Sequence, residues 1–184
     1  MSGKAARTPR PARPAAPPMP DLDALDRTHR QVMVVLGELA GLITHLGSSG
    51  VDATARKLAK DICKFFTGQA RQHHADEERI VFPPLLTGSD QALVEHVLRL
   101  QQDHGWLEED WLEIEPQLQA VAEGYSWYDL DTLRAALPIF EQLYREHIAL
   151  EESLIYPEAR RRRGLADAAA AGRSAATGAA PSSS

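Results

Sequence analysis

The sequence predicts an all-α protein, an antiparallel up-down-up-down four-helix bundle. Three observations carry that expectation. Four segments place apolar residues at alternating steps of three and four, the period of a helix with one buried face. Short polar or Gly/Pro-marked connections separate them, so each helix must return beside the one before it. The second and fourth segments also share a motif, as two similar helical hairpins would.

The first segment runs from about Asp21 to Leu46 and lines up Leu25, His29, Val32, Leu36, Leu39 and Ile43. The second opens near Asp52 and presents Leu58, Ile62, Phe66, His73 and Glu77. Pro83 and Pro84 are expected to stop it near Val81, because proline has no N–H for the helical ladder. The third follows Thr87-Gly88-Ser89, with Ser89 as the expected N-cap, and turns Val97, Leu100, His104, Leu107, Trp111, Ile114 and Leu118 inward. The fourth runs from about Asp129 to Arg161 with Leu133, Phe140, Leu143, His147, Glu151 and Leu154 on one face. Pro138 is expected to kink it or to mark its true start.

The two ends differ from this middle. Residues 1–20 hold six prolines and four basic residues but no acid, and residues 162–184 are mostly small. Both read as loose tails flanking a bundle over 21–161. Residues 21–159 carry 11 Lys/Arg against 25 Asp/Glu, a net charge of −14. So acidic a body argues against nucleic acid as a partner. The run Arg160 to Arg163 is the exception, and it reads as a solvated or dipole-facing helix end. The single cysteine, Cys63, excludes an intrachain disulfide and any thiolate metal cage. No stretch is expected to reach the roughly 20 apolar residues of a membrane span. The N-terminus lacks the apolar run of a secretory signal, so the expectation is a cytoplasmic protein without a membrane partner.

The repeat carries the chemistry. HHADEERIVFP (73–83) and HIALEESLIYP (147–157) share the pattern H-x-x-x-E-E-x-x-x-[FY]-P, offset by 74 residues. His29 precedes His73 by 44 residues and His104 precedes His147 by 43. Residues four apart share a helix face, so His73 pairs with Glu77 and His147 with Glu151. With His29 and His104, four imidazoles and two carboxylates point into one midsection. Two buried carboxylates repel or hold a proton unless a cation joins them. A pair of metal ions resolves this, each glutamate bridging both and each metal taking two imidazoles. Mixed nitrogen and oxygen donors without thiolate suit iron, then manganese or zinc.

At these residues the chain resembles the hemerythrin-like family, the HHE cation-binding domain, over roughly residues 22 to 160. The resemblance implies a four-helix bundle with a non-haem, oxo-bridged pair of iron ions, held by His29, His73, Glu77, His104, His147 and Glu151. Oxygen-carrying hemerythrins have a further histidine four residues after the one on the third helix, where this chain has Glu108. They also place an aspartate five residues after the fourth-helix histidine, where this chain has the shorter His147-x-x-x-Glu151 spacing. Both departures weigh against pure oxygen carriage and favour chemistry or sensing, and the expected function is to bind or sense O₂, NO, peroxide or iron itself. The alternative is a di-iron enzyme acting as peroxidase, oxidase or NO handler, or an iron donor for damaged iron centres. No residue is assigned a catalytic role.

His74 and Glu78 sit about 100° further around the helix than the inward pair, which favours a solvated or hairpin-edge role. His45 and His96 fall off the inward stripes. Asp26 lies one turn before His29, placed to bond it, and Tyr144 stands in the same relation to His147. Trp111 reads as core, and Trp106 and Trp127 as partly exposed.

Overall fold

The computed structural model describes residues 22–178, with side chains to residue 171; the N-terminal tail and residues 179–184 lie outside the described part. The protein is all-helical, with four helices and no strand among the described residues. Helix α1 is Leu22–Ser49. Helix α2 covers 53–86, helix α3 is Gln91–Glu123, and helix α4 covers 130–178. Each helix packs on the next, and α4 closes the ring on α1.

Aspartates start three of these helices. Asp52 accepts from the Ala55 N–H at 2.8 Å, Asp90 from Leu93 N–H at 3.1 Å, and Asp129 from the N–H groups of Asp131 and Thr132. The α3 cap is therefore Asp90 rather than the expected Ser89, one residue later. Replacing Asp52 by Ala is expected to cost about 1 kcal/mol, read from a urea midpoint. An unchanged midpoint would mean water satisfies that helix end equally well. Helix α3 ends at Gly124, whose φ of 84° is left-handed, and Tyr125 N–H closes the turn onto Ala120 O at 2.9 Å.

The prolines do less than expected. Helix α2 continues through Phe82–Leu86, because Pro83 and Pro84 fall in the first turn after a widened one, where a missing N–H matters least. Helix α4 begins at Leu130 and passes unbroken through Pro138, which is therefore not its start. It also extends to Gly178, into the stretch expected as a loose tail. Residues 163–171 there are exposed, and their alanines have the highest helix propensity.

Helix α1 is long and apolar enough to cross a membrane by length and composition, contrary to the expectation that no stretch reached that measure. In the fold its Leu25, Val32, Leu36, Leu39 and Ile43 stripe is buried against the other helices. A core helix passes the same test.

The buried apolar residues form two clusters. The larger gathers Leu36, Leu39, Ile62, Phe66, Trp111, Leu118 and Phe140. The smaller gathers Leu22, Leu25, Phe82, Leu85, Leu100 and Tyr156. Every helix crosses from one cluster to the other at a histidine. His29 lies between Leu25 and Val32, His73 between Ala70 and Val81, His104 between Leu100 and Leu107, and His147 between Tyr144 and Ile155. A polar layer thus separates the two apolar clusters. The arginine run ties the same end of the bundle together. Arg160 bonds Asp26 at 2.5 Å, and Arg162 bonds Glu158 and the Pro84 carbonyl, each at 2.7 Å.

Candidate metal centre

The polar layer brings all six sequence-predicted residues together. His29, His73, Glu77 and Glu151 form one set with ligand atoms within 4.8 Å of one another, and Glu77, His104, His147 and Glu151 form a second. Both glutamates belong to both sets and are 0 % exposed. The Nε2 atoms point inward. His29 Nε2 lies 3.1 Å and His147 Nε2 3.3 Å from Glu151 Oε2. His73 Nε2 lies 3.4 Å from Glu77 Oε1, and His104 Nε2 lies 3.5 Å from Glu77 Oε2. The two oxygens of Glu77 therefore face different histidines, the disposition a bridging carboxylate needs.

The outward nitrogens are held in the same two-fold pattern. His29 Nδ1–H donates to Glu152 at 3.1 Å, and His104 Nδ1–H donates to Glu78 at 3.0 Å. The second glutamate of each H-x-x-x-E-E motif thus orients the lone histidine, which frees its Nε2 as a lone-pair donor. Glu78 stays 43 % exposed at the rim of the layer, as expected of an edge residue, and bonds His104 from there. Asp26, one turn before His29, pairs with Arg160.

A protein of this size rarely leaves buried polar atoms unpaired. Here His73 Nε2, Glu77 Oε2 and both Glu151 oxygens have no hydrogen-bond partner. His104 Nε2 and His147 Nε2 approach to 3.2 Å, two nitrogens aimed at one point. These orphaned atoms are what a bound cation would satisfy, so the donor set fits metal.

The charges agree. Burial pushes His73 down to about 4, so its imidazole is a neutral donor at pH 7. Burial also lowers His147, with the neighbouring His104 adding to it. Burial works to raise Glu77, but His73 and His104 outweigh it and hold it ionised. Burial and the Glu77 charge together push Glu151 well above its usual range, so without metal it keeps a proton. In metal-free protein the His73 ring is expected to titrate near pH 4 by NMR. Titration at its ordinary value near 6.5 would show that the layer is wet rather than buried.

Three residues at the site were not foreseen. His74 is buried, not solvated, and stacks on His104 at 4.1 Å between ring centroids. The inward face of a bundle helix spans about 100° or more, so a residue one step from the ligand stripe still falls inside it. Tyr156 is buried, stacks on His29 at 5.3 Å, and its hydroxyl donates to Glu77 and lies 3.2 Å from His29 Nε2. Its counterpart in the other motif, Phe82, stacks on His104. Asp103, 1 % exposed, sits 3.8 Å from His147 Nδ1.

Tyr156 and Phe82 were missed because both motifs contain a widened turn. Glu77–Val81 and Glu151–Ile155 are π-helical, with Phe82 N–H bonding Glu77 O and Tyr156 N–H bonding Glu151 O. In an α-helix a residue five places on stands about 140° out of line. The i→i+5 turn brings it above the glutamate instead, and such bulges concentrate at functional sites.

Other residues lie away from the site. Glu108 is more than half exposed, pairs with Arg71 at 3.3 Å, and belongs to neither four-residue set. His45 pairs with Asp52 at 3.1 Å, and His96 is half-buried off the inward face. Trp111 is core, while Trp106 and Trp127 are exposed. Tyr144 lies nearer, buried against Phe66 and Phe140 and with its ring 5.9 Å from that of His74.

A helical bundle crossed by a layer of four histidines and two shared glutamates defines a cation-binding protein. The chain belongs to the hemerythrin HHE cation binding domain family, whose model matches residues 21–159. It is also similar to an uncharacterized protein of Haemophilus influenzae, at 29% identity over 126 residues, covering 68% of this chain and 71% of that one. No solved structure matches it.

Proposed function

We propose that this chain holds a dinuclear non-haem iron centre in a bundle of antiparallel up-down-up-down course, and uses it to bind or sense O₂, NO, peroxide or iron itself. The observation that carries the reading is the sharing of Glu77 and Glu151 between two His₂Glu₂ sets. Two cations side by side use both oxygens of each glutamate, whereas one cation leaves half the donors idle. Mixed nitrogen and oxygen donors without thiolate suit iron, with manganese and zinc the next candidates. The bundle course is supported by Leu22 and Leu25 sharing a cluster with Leu85 and Leu93, residues near the facing ends of α2 and α3.

When bound, such a centre supplies redox chemistry and open coordination positions for a small ligand. The chain's residues supply the rest. Glu78 and Glu152 fix the rings of His104 and His29, and the two apolar clusters exclude water from the layer. A cavity of about 160 Å³, walled by His74, Leu107, Trp111 and Tyr144, runs from the Arg71–Glu108 pair toward the layer and suits a ligand of few atoms. The second reading, a di-iron enzyme, draws on Tyr156, whose hydroxyl could pass a proton to a bound ligand beside Glu77.

The deciding experiment measures iron, manganese and zinc per chain with the absorption spectrum, then exposes the reduced protein to O₂, NO and peroxide. Two irons with reversible ligand binding support the binding module, and sustained turnover supports the enzyme. No metal uptake after anaerobic ferrous loading would overturn both.

A further inference from the structure

The acid-free segment ahead of α1 has a pattern of its own. Lys4, Arg7, Arg10 and Arg13 recur at every third residue, and so do Pro11, Pro14, Pro17 and Pro20. A polyproline helix has three residues per turn, so in that form the spacing lines the cations along one edge and the prolines along another. Grooves that recognise such segments offer aromatic surface to the prolines and carboxylates to the arginines.

The bundle carries a groove of that chemistry between α3 and α4. Trp106, Pro138, Ile139 and Leu143 wall it, and Glu109, Asp110 and Glu146 rim it. Trp106 is 46 % and Ile139 64 % exposed, so this apolar surface faces away from the core. Glu146 pairs with Arg99 at 3.3 Å, but among the described residues no cation pairs with Glu109 or Asp110. Burial and the neighbouring Glu113 and Glu109 hold the Asp110 carboxyl above its ordinary value, the mark of acids crowded without a counter-charge. The groove between α1 and α2 has the opposite sign. Arg27 and Arg30 stand beside its Val34 and Phe65, and they repel a basic segment.

The chain is long enough to reach. Helix α1 starts at Leu22, which shares a cluster with Leu93, Val97 and Leu100 of α3. Trp106 and Asp110 lie six to ten residues beyond Leu100, about 9–15 Å along that helix. Passing around α4, a cylinder about 10–12 Å across, adds about 17 Å. The nine steps from Arg13 to Leu22 span about 28 Å in extended proline-rich form, enough for the diagonal of those two legs.

We infer that residues 7–20 dock in the α3–α4 groove of their own chain, with the prolines on Trp106, Ile139 and Leu143 and with Arg10 and Arg13 on Glu109 and Asp110. The bundle of a second copy is the wrong occupant, because residues 21–159 carry a net charge of −14 and meet the acidic rim with like charge. The groove is thus a peptide site filled in cis, and an outside basic, proline-rich ligand enters it only by displacing residues 7–20. This docking does not depend on the metal.

The test titrates a fluorescein-labelled peptide of residues 7–20 into the full chain and reads anisotropy. A tethered segment has an effective concentration of mM order, so wild type is expected to bind the peptide at least about 10-fold more weakly than Arg10→Glu/Arg13→Glu, whose own segment is expelled. Adding Glu109→Lys and Asp110→Lys to that variant is expected to abolish binding. Both side chains lie on the rim, and circular dichroism checks the fold. Equal affinity in wild type and Arg10→Glu/Arg13→Glu would show the groove open and overturn the inference, as would no binding by either at millimolar protein. Binding that survives the lysine substitutions would place the peptide elsewhere and overturn it too. A wild type that sediments as a dimer, beside a monomeric Arg10→Glu/Arg13→Glu, would give the segment to a neighbouring copy and overturn docking within one chain.

Discussion

The Glu77→Ala variant is expected to purify without either metal, whereas His29→Ala keeps one of the two. The contrast follows from membership of the two donor sets. Glu77 belongs to both, and its Oε1 and Oε2 face His73 and His104 respectively. His29 belongs to one. Removing a shared carboxylate takes a charge and an oxygen donor from both positions, and leaves Glu151 alone to offset two cations. Removing His29 costs one position a nitrogen and leaves His104, His147 and both glutamates untouched. Metal per chain by elemental analysis should therefore read two for wild type, one for His29→Ala and none for Glu77→Ala. Equal losses in the two variants would show that the glutamates are not shared. Folding of both variants is checked by their helical circular dichroism, which cavities at the layer should leave largely intact because both apolar clusters remain.

That prediction needs only residues the sequence had already marked, and the reason is periodicity. Four histidines on four separate apolar stripes can meet only at one level of a bundle. The structure places them there, between Leu25 and Val32 on α1 and between the matching residues on the others. Tyr156 was illegible because a widened turn has no composition of its own. RIV and SLI read as ordinary helix, and only the hydrogen bond from Tyr156 N–H to Glu151 O reveals the added residue per turn. The repeated [FY]-P was the available signal, since a position kept aromatic in both motifs needs a reason. His74 stands about a 100° step from the ligand stripe, an angle that by itself points out of the bundle. The missing consideration was the width of the buried arc on a helix flanked by two neighbours. Asp90 displaced Ser89 as cap because either side chain can accept from the first turn, and sequence alone does not choose between adjacent candidates.

Chelation is expected to expose a cost that the site carries when empty, and Glu151→Gln is expected to remove it. Glu77 and Glu151 are fully buried with oxygens within 4.8 Å, a separation at which two carboxylate charges repel by about 3 kcal/mol at an effective dielectric of about 20. Glu151 escapes by holding a proton, which places its folded-state pKa above the unfolded one. A raised carboxyl binds more protons folded than unfolded, so its contribution to stability falls as pH rises above about 4.5. At neutral pH the metal-free wild type therefore carries a deficit that Gln does not. The Gln amide can instead donate to the inward nitrogens of His29 and His147, which lie 3.1 and 3.3 Å from Glu151 Oε2. Metal reverses the order, because binding at 1,000 times Kd adds about 4 kcal/mol per site to the folded state. For a chain of this length 1 kcal/mol is about 2–4 °C in Tm. Loaded wild type should melt more than about 10 °C above the chelated protein. Chelated Glu151→Gln should melt about 2–10 °C above chelated wild type, by a margin that widens from pH 5 to pH 8. A chelated wild type that melts with its loaded form would mean that the layer is stabilised without a cation. A chelated Gln variant that melts below chelated wild type would mean that Glu151 earns its place by hydrogen bonding rather than by ligation.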